Sequence, residues 1–288
     1  MNALIVGKNG QVAWELMQTC PEHINAVALG RGDIDITSQE NIESAIVAHK
    51  PSVIINASAY TAVDKAESDQ ENAYLINATA VEFLAKAACK HNIRLLHIST
   101  DFVFDGSKNT PYQVDDKTNP INVYGASKLA GEEAIKQNYP QNSSIVRTSW
   151  VYSSHGNNFV KTMLRLMSEK ETLNVVSDQI GCPTNASGLA KYLWQLAEQE
   201  SLDQVYHYSD LGVASWYDFA VAIQDIAFEK GLLEKKISIQ PIPASAYPTP
   251  AKRPSFSLMY KKVSSTHDKH WHASLACMLL KIQEIHQR

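Results

Sequence analysis

The 288-residue chain has little cysteine: Cys20, Cys89, Cys182 and Cys277 are scattered, with no Cys-x-x-Cys pair among them. That argues against a disulfide framework or a zinc ribbon and fits a reducing compartment. Positive charge is not in surplus either. The formal net charge is -4, so no basic surface argues for nucleic acid, although a nucleotide ligand needs only a local positive patch. No stretch approaches the roughly 18 apolar residues of a membrane span. The first apolar run, 3–6, is too short for a signal peptide and lacks a basic leader. Internal repeats, low-complexity tracts and obvious linkers are missing too. These absences lead to the expectation of a cytoplasmic globular protein with no membrane or nucleic-acid partner. The apolar fraction, 44%, is ordinary for one.

What is present is alternation. Short apolar runs at 2–6, 26–29, 52–56, 94–99 and 144–148 read as buried strands. Between them, 11–19, 42–49, 71–91 and 124–138 read as helices. This order predicts an α/β fold, a Rossmann-like doubly wound parallel sheet, whose ligands sit outside the carboxyl ends of the strands. After Trp150 the alternation loosens. Helices are expected at 158–169, 186–200 and 216–229, and 241–254 carries five prolines and cannot be regular for long. The chain therefore divides into a dinucleotide-binding domain, 1–150, and a smaller C-terminal substrate-binding lobe, 151–288, with some later elements returning to the first domain.

The strand ends carry the chemistry. Gly7, Lys8, Asn9, Gly10, Gln11 and Val12 follow the first strand and open the first helix. Glycine lets the backbone approach a pyrophosphate, and the helix N-terminus offers it free N–H groups. Ala13 stands where such loops often place a third glycine. The second strand ends Gly30-Arg31, with no acid to hold both ribose hydroxyls of NAD; arginine suits a 2′-phosphate. Asp35 and Ile36 follow, placed for the adenine. Tyr124 and Lys128 are four apart on one helix face. An ammonium beside a phenol lowers its pKa and makes it a proton donor for a carbonyl receiving hydride. Thr100, at the end of the fourth strand, can hydrogen-bond the same oxygen.

With these motifs the chain resembles the extended short-chain dehydrogenase/reductases, and within them the dTDP-4-dehydrorhamnose reductase family. The resemblance rests on Gly-Lys-Asn-Gly-Gln at 7–11, Asn-Ala-Ser-Ala-Tyr-Thr-Ala-Val-Asp-Lys-Ala-Glu at 56–67 and Ser-Thr-Asp-Phe-Val-Phe-Asp-Gly at 99–106. It continues through 122–132, Arg-Thr-Ser-Trp-Val-Tyr at 147–152, 156–159, Asp-Gln-Ile-Gly-Cys-Pro-Thr at 178–184 and Arg-Pro-Ser at 253–255. It implies NADPH as hydride donor, with NADH also accepted, and a nucleotide-sugar substrate reduced at a C4 keto group. The pathway implied is that of dTDP-rhamnose and lipopolysaccharide O-antigen. It implies that Ala57, Ser58 and Ala59 line the cofactor, that Thr100 and Asp101 contact the sugar, and that Trp150 packs against it. Tyr124 would be the proton donor, and Lys128 would bind the cofactor ribose. Some members form homodimers through magnesium, which Glu15 would ligate here.

Two features depart from the family. The segment after Arg-Pro is Leu258-Met259-Tyr260-Lys261-Lys262, and Lys281 lies in a region where some relatives carry a glutamate. His267, His270 and His272 lack metal-ligand spacing and read as a polar surface. Two rival readings stay open: a nucleotide-sugar epimerase or dehydratase that recycles its cofactor, and a non-catalytic regulatory subunit of the same fold, such as that of methionine adenosyltransferase.

Overall fold

The computed structural model describes residues 1–261 and 268–286. In the first half the elements run β1 (Asn2–Val6), α1 (Gln11–Gln18), β2 (Asn25–Leu29), α2 (Gln39–His49), β3 (Val53–Asn56), α3 (Val63–Ala66), α4 (Gln70–Tyr74), α5 (Ala80–Lys90), β4 (Arg94–Thr100), α6 (Val123–Asn138) and β5 (Ser143–Thr148). Val53, Ile54, Ile55 and Asn56 are all buried, as expected of a parallel strand covered on both faces.

The second half adds β6 (Val151–Tyr152), α7 (Phe159–Glu169), β7 (Thr172–Val176), β8 (Ile180–Gly181), β9 (Thr184–Asn185), α8 (Ala186–Glu198), β10 (Val205–Tyr208), β11 (Ala214–Ser215), α9 (Trp216–Glu229), β12 (Ser238–Ile242) and α10 (Trp271–His286). Six strands form one parallel sheet in the order β10-β5-β4-β3-β1-β2. The chain leaves β1 toward β2 at one edge and resumes on the other side with β3. The crevice between the loops after β1 and β3 is therefore the topological switch point.

Two elements beyond residue 150 belong to this layer. Strand β10 pairs with β5, Val205 opposite Ile145. Helix α8 packs beside α1, where the Trp194 indole donates to the Leu16 carbonyl at 3.1 Å. The rest of the second half has its own core, in which Met163 and Met167 of α7, Phe219 and Ile223 of α9 and Leu275 and Leu279 of α10 meet. This lobe also contains sheet that the sequence pattern did not suggest. β12 lies parallel to β7 and contains Pro241. A two-stranded sheet has only edges, so a missing N–H is tolerated there.

The helix expected over 71–91 is interrupted. A π-helical turn, Leu75–Thr79, separates α4 from α5. Asn77 is buried inside it. Its carboxamide accepts the Tyr60 N–H (2.9 Å) and donates to the Tyr60 carbonyl (3.1 Å) and the Ser127 hydroxyl (3.0 Å). The bulge thus ties the loop after β3 to α6.

The atypical segment after Arg-Pro, through Lys261, packs against the sheet domain. Met259 bridges Tyr112, and the buried Lys261 ammonium pairs with Asp268 and lies 3.9 Å from the centre of the Tyr208 ring. Lys262 and His267 lie outside the described residues. His270 and His272 flank Trp271, and among the described residues no group of three His, Cys, Asp or Glu could hold a metal. No helix among the described residues is long and apolar enough to cross a membrane.

Candidate active site

The loops after β1, β2 and β3 bound one end of a cleft, and the ends of β4 and β5 with α6 bound the other. The first end is a cavity of about 650 Å³ lined by Gly7, Asn9, Gly10, Arg31, Asp35 and Ile36, among others. The second, about 440 Å³, is lined by Gln11, Val12, Thr100, Asp101, Tyr124, Lys128 and Trp150, among others. Asn9, Gly10, Ala57, Ser58, Ala59 and Thr61 line both, so the two are one continuous groove over the switch point. Of the residues singled out in the sequence for cofactor, substrate or catalysis, only Lys8 is not in its lining. Its ammonium turns away toward Asp33, 3.7 Å distant.

The first loop is shaped to bring backbone close to an anion. Gly7 has φ +106, and a Cβ there would lie 2.8 Å from the Ala57 carbonyl carbon and the Ser58 nitrogen. Any side chain would force apart the loops after β1 and β3. Gly10 caps α1 without a side-chain hydrogen bond, which leaves the first N–H groups of the helix open toward the groove. A dinucleotide pyrophosphate fits this cradle.

After β2 the two acids are occupied. Asp33 accepts the Gly30 N–H at 2.9 Å, and this bond, aided by Lys8, lowers its pKa. Asp35 accepts both the N–H and the hydroxyl of Thr37, at 2.9 and 2.7 Å. Arg31 makes no ion pair with any described residue and lines the groove.

The chemical end is built on α6. Asn122 caps it, accepting the Gly125 N–H at 2.7 Å and donating to the Lys252 carbonyl at 2.7 Å. Glu67 accepts the Val123 N–H at 2.9 Å. Asp64 pairs with Arg253 at 2.8 Å. The charges at 64–67 therefore hold α6 and the Arg-Pro-Ser segment. Gly125 admits close contact, since a Cβ would lie 2.1 Å from the Phe102 carbonyl oxygen.

Tyr124 borders the cleft, with Phe102 edge-on at 5.6 Å. Burial of its hydroxyl pushes the pKa up to about 12; Thr100 opposes this and Asp101 adds to it. Lys128 is 2% exposed, and burial pulls it down to about 8, against the pull of Glu132. Its ammonium does not lower the phenol as the spacing suggested. It donates to the Ile98 carbonyl at 2.7 Å and lies 3.2 Å from His97 Nε2. With the lysine turned to the sheet, desolvation dominates at Tyr124.

Thr100 donates to Asp101 Oδ1 at 3.1 Å, while Asp101 Oδ2 is buried with no hydrogen-bond partner among the described residues. Burial raises Asp101 to about 6. Trp150 has φ +47, an outlier for a bulky residue. One ring face stacks on Trp216 at 3.6 Å; the indole is thus part core and part cleft wall.

Behind the site, Arg147 of β5 and Glu132 of α6 form a buried ion pair of 2.7 Å. The pairing was not evident from the sequence, although an arginine in a fully buried strand signals a carboxylate nearby.

Glu15 does not offer a magnesium site. It is 1% exposed, Oε1 accepts the Ser153 hydroxyl at 2.7 Å, and Oε2 faces the Lys281 ammonium at 3.9 Å. The lysine supplies the positive charge a cation would bring, so these residues do not fit the ion.

The chain is similar to known proteins along nearly all its length. It is 43% identical over 268 residues to the dTDP-4-dehydrorhamnose reductase of Salmonella typhimurium, covering 89% of this chain and 88% of that one. The structure of the Bacillus anthracis dTDP-4-dehydrorhamnose reductase in complex with NADP superposes with a TM-score of 0.92 at 34% identity, covering 97% of this chain and 99% of that one. A Thermus thermophilus UDP-glucose 4-epimerase in complex with NAD shares the fold, with a TM-score of 0.77, but only 15% identity, covering 99% of each chain. The RmlD substrate binding domain family matches residues 1–284, and the chain belongs to that family.

Proposed function

We propose that the chain reduces the C4 keto group of dTDP-4-dehydro-L-rhamnose with NADPH, giving dTDP-L-rhamnose. The observation that carries this is the continuous groove that joins the glycine cradle and Arg31 at one end to Thr100, Tyr124 and Lys128 at the other. The reduced nicotinamide supplies the hydride. The first-turn N–H groups of α1 hold the pyrophosphate, and Arg31 holds the 2′-phosphate. Lys128 reaches the ribose. Thr100 and Tyr124 bind the sugar carbonyl oxygen, and Tyr124 gives it a proton as the hydride arrives. Its raised pKa keeps that proton in place at neutral pH. Asp101, with a carboxylate oxygen free of partners, takes a sugar hydroxyl, and the exposed face of Trp150 packs on the ring. The sheet with α8 and β10 forms the cofactor domain, and the lobe centred on α7, α9 and α10 closes the substrate end.

The test is oxidation of NADPH by the chain with dTDP-4-dehydro-L-rhamnose, with the sugar product identified. Stoichiometric consumption supports the reductase. Turnover without net consumption would instead show an epimerase or dehydratase, and no turnover with tight binding to another protein would show a regulatory subunit.

Cofactor preference supplies a prediction. A charge-assisted contact to the 2′-phosphate is worth roughly 1.5–3 kcal/mol, about one to two decades in affinity. Arg31→Ala is expected to lose most of the preference for NADPH and leave NADH kinetics nearly unchanged. Comparing kcat/KM for the two cofactors decides it, and an undiminished preference in the variant would place the phosphate elsewhere.

A further inference from the structure

The Asp-Gln-Ile-Gly-Cys-Pro-Thr stretch at 178–184 contributes nothing to the groove lining, yet one of its residues presses on the groove wall. Gly181 stands against the Trp150 ring: a Cβ there would lie 2.9 Å from Cε2 and 3.0 Å from Cζ2 of the indole. Only glycine leaves room for the ring at that place. The ring's other close neighbour is Trp216, stacked on it at 3.6 Å with 11° between the planes. Trp150 therefore sits in a slot made by Gly181 and Trp216.

The slot is built to be rigid. Strand β11 pairs antiparallel with β8, Ala214 opposite Gly181 and Ser215 opposite Ile180, so one short ladder brings both walls together. Trp216 is the first residue of α9, and Ser215 and Asp218 close a reciprocal capping box around it, with bonds of 3.0 and 2.8 Å. Phe159 of α7 supports the Trp216 ring at 4.7 Å. The backbone beside the indole is fixed as well. The Ser149 hydroxyl donates to the Cys182 carbonyl at 2.8 Å, and the Thr184 N–H donates to the Trp150 carbonyl at 3.2 Å. A bulky residue at φ +47 persists only where its surroundings over-determine it, and such outliers cluster at ligand sites. Here the strained residue is the one that lines the cleft, with the aromatic core of the lobe behind it.

We propose that Trp216 is a positioning residue: with Gly181 it holds the Trp150 indole as a preformed flat wall at the sugar end of the groove, and so sets the affinity for the sugar nucleotide. Trp216 lines no part of the groove, so its effect passes through Trp150. A flat aromatic face suits the C–H-rich face of a sugar ring. A wall fixed in advance also spares the complex the entropy cost of ordering a large side chain on binding. The consequence for turnover rests on the function proposed above; the slot itself does not.

The experiment uses the full chain labelled with fluorotryptophan, read by ¹⁹F NMR, with NADP⁺ and dTDP-L-rhamnose as ligands. Trp150→Phe assigns the Trp150 resonance. In wild type that resonance is expected to be displaced by the Trp216 ring current and to keep its place when NADP⁺ is added. Trp216→Leu keeps apolar volume and the capping box but removes the flat face. The displacement should then vanish. Kd for dTDP-L-rhamnose and KM for the keto sugar should rise about three- to tenfold, the worth of one aromatic pair, with kcat changed less and Kd for NADPH unchanged. Trp216→Phe restores a flat face and should recover most of the loss. Gly181→Ala crowds the same ring from its other contact and should raise the same two constants. Equal losses for sugar and cofactor would show a merely structural tryptophan and overturn the proposal, as would an unmoved Trp150 resonance in folded Trp216→Leu. Should Trp216→Leu fail to fold, Trp216→Phe and Gly181→Ala decide by the same split between sugar and cofactor. Failure of wild type to bind or turn over the sugar nucleotide would count against the function, and the fluorine spectra would still decide whether Trp216 holds the indole.

Discussion

Tyr124→Phe is expected to lower kcat by about 10² to 10⁴, the usual worth of a positioned general acid, while leaving the fold and the affinity for NADPH nearly unchanged. The substitution removes one oxygen and keeps the ring, so the edge-on contact with Phe102 at 5.6 Å survives. Backbone contacts of α6 with Asn122, Glu67 and Phe102 do not involve the hydroxyl. The sign of the pH dependence follows from the shift. With a pKa pushed up to about 12 by burial, the phenol is protonated throughout the neutral range and needs no activation to act as an acid. Loss of the donor through Tyr124 itself is therefore confined to strongly alkaline pH, and any limb near 8 belongs to Lys128. Steady-state kcat and a cofactor titration on the same preparation check the prediction. Near-wild-type turnover in a folded, cofactor-binding variant would mean that another group, with Asp101 the nearest candidate, delivers the proton.

The parts of this site that were legible in the sequence are local ones. A glycine loop between a strand and a helix, or Tyr and Lys four apart, is a short-range pattern whose geometry is fixed by the element it sits on. Gly7, Arg31 and Thr100 could thus be placed at strand ends, and Tyr124 at the start of a helix, without knowledge of the sheet order. The parts that were not legible depend on partners far apart in the chain. Asn77 acts through Tyr60 and Ser127, and Glu67 through Val123. The return of β10 to the sheet could not be read because Val205–Tyr208 is a short run whose register is set by β5. The π-helical turn was hidden inside an alanine-rich run, 71–91, that holds no glycine or proline to signal a break. Lys128 shows the limit most clearly. Spacing put it beside Tyr124, but its rotamer is chosen by Ile98 and His97, and the electrostatic consequence for the phenol changed accordingly. Some hints were present and unused: His97 and Arg147 are polar residues inside strands that are otherwise apolar, and a buried polar group must have a partner.

Arg147 is the position where such a hint predicts the largest loss of stability. Arg147→Met should destabilise the chain by about 3–5 kcal/mol, because it strips the partner from a buried carboxylate. Glu132 is 0% exposed and accepts from Arg147 Nε at 3.0 Å and from Nη2 at 2.7 Å, with the Ser99 hydroxyl at 2.5 Å as its other donor. The guanidinium also donates to the Val114 carbonyl at 3.3 Å and lies 5.2 Å from the centre of the Phe104 ring. Methionine refills much of the stem volume, so the cost isolates the charge and the forked hydrogen bonds. Arg147→Lys keeps the charge but not the fork, and is expected to fall between the two. The pair bolts α6 to β5, so α6 should loosen before the distant lobe around Phe219 does. The double variant Glu132→Met with Arg147→Met removes both charges and should recover most of the loss, since a buried pair replaced by apolar groups of similar volume is often neutral. Denaturant unfolding of the three variants, followed by far-UV circular dichroism, measures this. A loss below about 1 kcal/mol for Arg147→Met would mean that water reaches Glu132 and screens it as at a surface, and that α6 is held in place by its caps and its contact with the π-helical turn rather than by the ion pair.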